Sequence, residues 1–196
     1  MSIFKDCDVR GVWGEDLDLT IAYRIGYATA KYATAQAYPG DMLVGGDART
    51  STPQLKTALI DGLRAGGNAV IDLGMVPTPV FYYALSQHQS SGVMVTASHN
   101  PAKFNGFKFM FGQMPVTPAD MKALEVRVNT LTDMPPVTPQ PSLSSLNINE
   151  KYIDAVLQMT PPSPPLKIVV DAGNGATSIL APGILRKLGH QVVELF

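Results

Sequence analysis

From Asp41 to Leu131 two kinds of segment alternate, and this alternation constrains the fold more than any other feature of the chain. The apolar runs "DMLVGGD", "NAVIDLG", "SGVMVTA" and "FKFMF" read as strands. Among them stand three stretches of helical periodicity, and each opens on Thr-Pro: Thr52-Pro53, Thr78-Pro79 and Thr117-Pro118. Proline suits the first helical turn, where its missing N–H is not needed. The first of these helices takes Ser51 or Thr52 as its cap and stops at Gly66-Gly67. An earlier helix, Thr20 to Gln36, sets Ile21, Ile25, Ala28 and Tyr32 on one face, with Thr20 as its cap. Strands and helices at this spacing predict an α/β fold, a layered sheet with helices on its faces.

"TDMPPVTPQPSLSSLN" follows, rich in Pro, Ser and Thr and without periodicity, and reads as a connector. Beyond it come a helix, "NEKYIDAVLQMT", a second proline cluster, and then strand, glycine turn, helix and strand in "LKIVVDAGNGATSILAPGILRKLGHQVVELF". A β-α-β unit this short cannot bury both faces of its sheet. The expectation is therefore a first α/β domain over residues 1–145 and the truncated start of a second, similar domain over residues 146–196.

The balance of charge narrows the partners. The net charge is −1, so there is no basic excess for nucleic acid or an anionic membrane. Charged residues are 16% of the chain, against roughly 25% in ordinary soluble domains. That shortfall points to a large interior or to a surface that something else covers. Cys7 is the single cysteine, which excludes an internal disulfide and a thiolate metal cluster and fits a reducing cytoplasm. The N-terminus lacks the apolar core of a signal peptide, and no run of about 18 apolar residues is present.

The chemistry concentrates in "VTASHNPAKFNGFKF", Val95 to Phe109. Asn-Pro initiates turns, so one reading is a structural loop. A serine hydrolase is a second, but it needs a histidine oriented by a carboxylate, a neighbouring histidine points away from its serine, and no G-x-S-x-G elbow is present. A third is phosphoryl transfer: Ser98 at a strand-to-loop boundary carries a phosphoryl group, with Lys103, Lys108, Arg10 or Mg²⁺ balancing its charge. Residue chemistry alone leaves these open.

"TASHNP" followed by "NGFK" resembles the phosphoserine loop of the α-D-phosphohexomutases, in particular the phosphomannomutase/phosphoglucomutase branch. "DVRGVWGEDL", "VGGDARTSTPQL" and "LGMVPTPVFYYAL" resemble further segments of that family in order and spacing, and "VVDAGNGA" resembles the opening of its second domain. The resemblance implies a three-layer α/β/α domain with a mixed sheet. It implies interconversion of hexose 1-phosphate and hexose 6-phosphate, of mannose or glucose, through a phosphoserine and a hexose 1,6-bisphosphate. It makes Ser98 the phosphoryl carrier and, through its phosphate, a ligand of Mg²⁺. Lys108 becomes the general base or acid, His99 a second acid/base or orienting group, Arg10 a phosphate or substrate contact, and Asn100 the residue that shapes the loop. Two positions depart from the family: Gly46 stands where it often has arginine, and Cys7 where close relatives often have an aromatic. The family's D-G-D-x-D-R metal loop, its sugar-recognition loop and its fourth domain have no counterpart in these residues. The expectation is that the chain needs the missing parts of domains II–IV and has no useful mutase activity alone. A phosphoglucosamine mutase and a non-catalytic sugar-phosphate or partner-binding remnant are the rival readings.

The remaining motifs read as structure. Gly173-x-Gly175 follows a strand as in a dinucleotide fingerprint, with Glu194 downstream, but Ser178 stands at the third glycine and a tight turn capped by Asp171 is the expectation. The aromatics of "VFYYAL" and Met75, Met94, Met110 and Met114 read as core or loop filler. Asp6 and Asp8 are placed to approach a metal or to pair with Lys5 and Arg10.

Overall fold

A computed structural model describes residues 2–38, 40–112 and 114–195. Strand β1 (Asp8–Val12) leads into helix α1 (Leu19–Ala35). Then β2 (Met42–Gly46), α2 (Thr52–Gly66), β3 (Val70–Met75), α3 (Thr78–His88) and β4 (Ser91–Val95) follow in strict alternation. β5 (Phe104–Phe111) and the short β6 (Met114–Pro115) run back, and α4 (Pro118–Thr130) closes this part. The sheet has the order β1-β5-β4-β2-β3-β7, with β6 on β5 and β7 (Leu143–Ser145) at the far edge. β4, β2, β3 and β7 are parallel, while β5 is antiparallel to both β4 and β1, so the sheet is mixed.

Helices cover both faces. α1, α2 and α4 pack on one side over Val44, Val93, Val95, Phe107, Phe109 and Phe111. α3 and α5 (Asn149–Met159) pack on the other over Leu43 and Met94. This is the layered sheet that the alternation predicts, in the three-layer form with a mixed sheet that the resemblance implies. α1 and α2 lie backbone to backbone: a Cβ on Gly26 would sit 2.2 Å from the Leu59 carbonyl oxygen, and one on Gly62 would sit 2.1 Å from that of Tyr23.

Several local expectations are corrected. Asp18, not Thr20, caps α1, accepting from the Ile21 N–H at 2.7 Å. Ser51 and Thr52 make no capping bond to α2, because their hydroxyls serve Asn105 and Asp47 instead. The Pro/Ser/Thr connector contains β7, whose three exposed residues pair with β3 through backbone alone and so carry no hydrophobic pattern. Met94 is buried as expected, whereas Met114 and Met75 are 71% and 45% exposed. Phe81 is core, while Tyr82 is exposed. α4 carries a full capping box between Thr117 and Asp120.

After α5 the chain forms β8 (Lys167–Val170), a short 3-10 turn (Ala176–Ile179), α6 (Ala181–Lys187) and β9 (Gln191–Glu194). β8 and β9 pair in parallel as a separate two-stranded sheet. Val169, Val193, Leu166 and Leu195 stand exposed on and beside it, as a β-α-β unit without neighbours requires. The Asp171 carboxylate accepts from the Gly173 N–H at 2.9 Å, and Gly173 and Asn174 are both left-handed, so the glycine pair forms the tight turn expected. No helix among the described residues is long and apolar enough to cross a membrane.

Candidate active site

In open α/β sheets, ligands lie beyond the carboxyl ends of the parallel strands. Two loops meet there. One follows β2 and carries Asp47 and Arg49; the other follows β4 and carries Thr96 to Asn100. Thr96 makes the last sheet bond, its N–H donating to the Gly106 carbonyl at 2.9 Å. Two residues on, Ser98 is exposed and adopts φ 54°, the left-handed region. For a residue with a Cβ that conformation costs about 1–2 kcal/mol, so the surroundings must impose it.

Arg49 imposes it. One terminal nitrogen of its guanidinium donates to the carbonyls of Ser98 (2.9 Å) and Asn100 (2.6 Å). The other donates to the carbonyls of Pro101 and Phe104, both at 2.9 Å. Its Nε donates to Asp47 Oδ2 at 3.2 Å. One planar side chain thus gathers four carbonyls of the serine loop, a fork geometry that lysine cannot reproduce. Asp47 anchors the clamp. Its Oδ1 accepts from Thr52 Oγ1 at 2.6 Å and from the Arg49 N–H at 3.0 Å. Its Oδ2 also accepts from Thr96 Oγ1 at 2.7 Å, and that hydroxyl accepts from the Ser98 N–H at 2.9 Å. Buried Asn105 donates to Ser51 Oγ at 2.8 Å and to Thr52 Oγ1 at 3.0 Å, tying the returning strand to the start of α2. The backbone is fixed from behind, and the serine side chain faces the solvent.

Ser98 opens on a cleft of about 540 Å³, walled on its own side by Asp47, Arg49 and Thr96, and across from it by Asn174 and Thr177 of the glycine turn. Arg10 lines an adjoining cleft of about 590 Å³ with Lys5, Asp8 and Phe104. Asn100 lines both. The Arg10 guanidinium donates to Asp8 Oδ2 through Nε at 2.8 Å and lies 2.7 Å from it through a terminal nitrogen. This hydrogen-bonded pairing with Asp8 raises the Arg10 pKa despite the opposing effect of burial. Asp8 is buried, and its pairing with the partly exposed Arg10 is the one of the expected alternatives that forms. Lys108 faces Met94 on one side and Asp8 on the other in the sheet ladder. It is half-buried and is not among the residues lining either cleft.

His99 Nδ1 lies 3.4 Å from Ser98 Oγ, so the neighbouring histidine faces the serine rather than pointing away. The left-handed turn at Ser98 brings adjacent side chains to one side. The contact is longer than an O–H···N bond, and among the described residues no carboxylate accepts from His99. A hydrolase triad is therefore not assembled. The two departures also find places. A Cβ on Gly46 would lie 2.5 Å from Thr52 Cγ2, and beside it Lys56 pairs with Asp72 at 2.6 Å. Cys7 is exposed and lines the Arg10 cleft.

Among the described residues no group of three or more His, Cys, Asp or Glu side chains is placed to hold a metal ion. Asp47, the carboxylate in the Ser98 cleft, has both oxygens engaged. These side chains alone do not make a Mg²⁺ site.

Arg49, Asp47 and Thr96 escaped the reading of the sequence as site residues. Asp47 and Arg49 stand in the "VGGDARTS" segment, but the clamp's partners are backbone carbonyls, which carry no residue signature.

Residues 1–134 match the family model described as phosphoglucomutase/phosphomannomutase, alpha/beta/alpha domain I. A phosphomannomutase/phosphoglucomutase of Pseudomonas putida is 39% identical over 196 residues, covering 100% of this chain and 42% of its own length. A probable phosphoglucosamine mutase of Thermococcus gammatolerans is 37% identical over 197 residues, covering 98% of this chain and 42% of its own length. Among solved structures, a phosphoglucomutase/phosphomannomutase family protein of Burkholderia thailandensis superposes with a TM-score of 0.89 at 38% identity, over 99% of this chain and 43% of that one. The chain thus spans about 42% of the length of the curated relatives it matches.

Proposed function

This chain belongs to the phosphoglucomutase/phosphomannomutase family, and on that footing we propose that it is the N-terminal part of a phosphohexomutase in which Ser98 carries the phosphoryl group. The observation that carries the reading is the Arg49 clamp: four loop carbonyls are drawn back while Ser98 is left exposed at the tip. Phosphoryl transfer depends on positioning and charge neutralisation, and a held serine supplies the first.

In this reading the Ser98 Oγ attacks a phosphorus of a hexose 1,6-bisphosphate, the P–O bond to the sugar breaks, and the proton that Ser98 gives up to a base is matched by one that the departing sugar oxygen takes up, so that a hexose monophosphate with a free hydroxyl leaves. In the reverse direction phosphoserine passes its phosphoryl group to the free hydroxyl of a hexose 1-phosphate or 6-phosphate. Lys108 takes or returns the proton of the sugar hydroxyl. His99, facing Ser98 Oγ, orients the serine or serves as a second acid/base. Arg10 meets phosphate in the adjoining cleft, and Asn100 shapes the wall between the two. Mg²⁺, the family's expected ion, supplies charge neutralisation at the phosphate when bound, and ligands other than phosphoserine belong to residues beyond these. Residues 1–145 act as the phosphoserine domain, and residues 146–196 as the start of the next, which supplies Asn174 and Thr177 to the cleft. Sugar recognition and distal phosphate binding fall to parts of the relatives' length that this chain does not span.

A phosphoglucosamine mutase is the second reading, favoured by the near-equal identity to the Thermococcus relative. One experiment tests the core of both. The 196-residue chain is incubated with glucose 1,6-bisphosphate, and then with glucosamine 1,6-bisphosphate, and analysed by peptide mass spectrometry. Phosphate on Ser98, absent in Ser98→Ala, is the expected result. Phosphate found on another residue, or taken up equally by Ser98→Ala, overturns the carrier role.

A further inference from the structure

Asp8 is the buried charged group whose bonding is left half complete. It is 2% exposed, and its Oδ2 holds Arg10. Its Oδ1 is buried and has no hydrogen-bond partner among the described residues. A buried carboxylate oxygen in that state is strongly disfavoured, and a native structure finds it a donor.

The ladder sets a donor within reach, although in this rotamer Lys108 makes no ion pair with Asp8. Asp8 stands directly opposite Lys108 in the antiparallel pairing of β1 with β5. Residues so paired share a face of the sheet with Cβ atoms roughly 4.5–5.5 Å apart, a gap that a four-carbon lysine stem spans. Of the other nearby cations, Lys5 Nζ donates to the Ser2 carbonyl at 2.6 Å, and Arg10 is on the other oxygen. Next along this face, Arg10 stands opposite Gly106, which has no side chain to separate the two cations.

We propose that Asp8 is a positioning residue shared by both cations: Oδ2 holds Arg10, and Oδ1 anchors the ammonium of Lys108. One carboxylate then keeps two positive charges on one face of the β1–β5 pair. When either cation turns to a phosphate, the other keeps the buried carboxylate paired. The functional meaning rests on the phosphoserine reading above; the Asp8–Lys108 contact does not.

The test is side-chain ammonium exchange in the ¹⁵N-labelled 196-residue chain, followed by NMR at low temperature. In the unaltered chain the Lys108 ammonium should exchange with water about tenfold more slowly than that of exposed Lys103, the protection one such hydrogen bond gives. Asp8→Asn should abolish the difference. Arg10→Gln, a change at a partly exposed side chain, should preserve it, which keeps the test sharp even where Asp8→Asn does not fold. Lys108 exchanging as fast as Lys103 in the unaltered chain overturns the proposal, and so does slow exchange that persists in folded Asp8→Asn. Either result leaves phosphate uptake at Ser98 untouched, so the two readings fail separately.

Discussion

Arg49 reaches Ser98 through the backbone: its guanidinium donates to the Ser98 carbonyl at 2.9 Å, while Ser98 Oγ is met by His99 Nδ1 at 3.4 Å. The arginine sets where the serine stands and leaves its hydroxyl free of the clamp. Arg49→Lys keeps the charge but replaces a planar fork with a single ammonium, which cannot reach four carbonyls on two sides. Arg49 is largely buried, at 14% side-chain exposure, so the carbonyls it abandons are not all recovered by water. The expected loss is about 2–3 kcal/mol of stability by chemical denaturation. If Ser98 is the phosphoryl carrier proposed above, its phosphate uptake should slow by at least about tenfold, since a misplaced nucleophile loses the advantage of orientation. An Arg49→Lys chain as stable and as readily phosphorylated as the parent would show that the clamp is dispensable.

The hydroxyl of Thr96 is the second hold on the serine. It donates to Asp47 Oδ2 at 2.7 Å and accepts from the Ser98 N–H at 2.9 Å. Thr96→Val preserves the shape and leaves both partners short of a bond, at a cost of about 1–3 kcal/mol. Thr96→Ser restores the hydroxyl and should recover most of that loss. Thermal melts of the two variants side by side check this, because a purely steric role for the side chain would reverse their order.

The alternation with its Thr-Pro openings made the layered fold legible, and Asn-Pro marked the serine loop as a turn. What was hidden worked through the backbone. β7 is Leu-Ser-Ser with every residue exposed, so no apolar period marks it. β1 is five residues long and includes Arg10, and its place at the sheet edge depends on pairing with β5, nearly a hundred residues away. Arg49 reads as one more polar residue at a helix start until the carbonyls about 50 positions downstream are brought to it. The misplaced cap on α1 has a different origin: Asp18 and Thr20 are both capping types, and periodicity does not fix a helix end to within two residues.

The α1–α2 contact makes glycine obligatory at Gly62. A Cβ there would lie 2.1 Å from the Tyr23 carbonyl oxygen and 2.9 Å from the Tyr27 backbone nitrogen, so α1 itself must retreat. Gly62→Ala gains helix propensity of about 1 kcal/mol. Overpacking between two backbones outweighs it, leaving a net loss of about 1–3 kcal/mol. Gly183 in α6 is the internal control, since a Cβ there meets nothing within 4 Å. Gly183→Ala should be neutral or stabilising by about 0.5–1 kcal/mol. Urea denaturation of both variants measures the contrast, and equal effects would remove close packing as the cause.

Tyr32 is one of the tyrosines that tie the fold's stability to alkaline pH. Burial, and then its hydrogen bond to Asp120 Oδ1 at 2.5 Å, push the phenol from 10.0 up to about 12. A raised folded-state pKa means that the native chain keeps its proton where the unfolded chain has lost it. The stabilisation is therefore complete below pH 10 and disappears as pH rises from 10 to about 12. Over that interval about 2–3 kcal/mol is at stake. The same bond acts oppositely on its acceptor: burial pushes Asp120 up, but hydrogen bonds from Tyr32 and Thr117 outweigh it and lower the carboxyl below its ordinary value. The contribution of Asp120 is thus present above its unfolded pKa and lost as pH falls through the lowered one. Tyr32→Phe should flatten the fall in stability between pH 10 and about 12 and, with one donor gone, bring the acid limb of Asp120 to higher pH. Denaturation midpoints across both ranges check the two limbs together. A Tyr32→Phe chain that still loses its full increment above pH 10 would place the alkaline transition on another group.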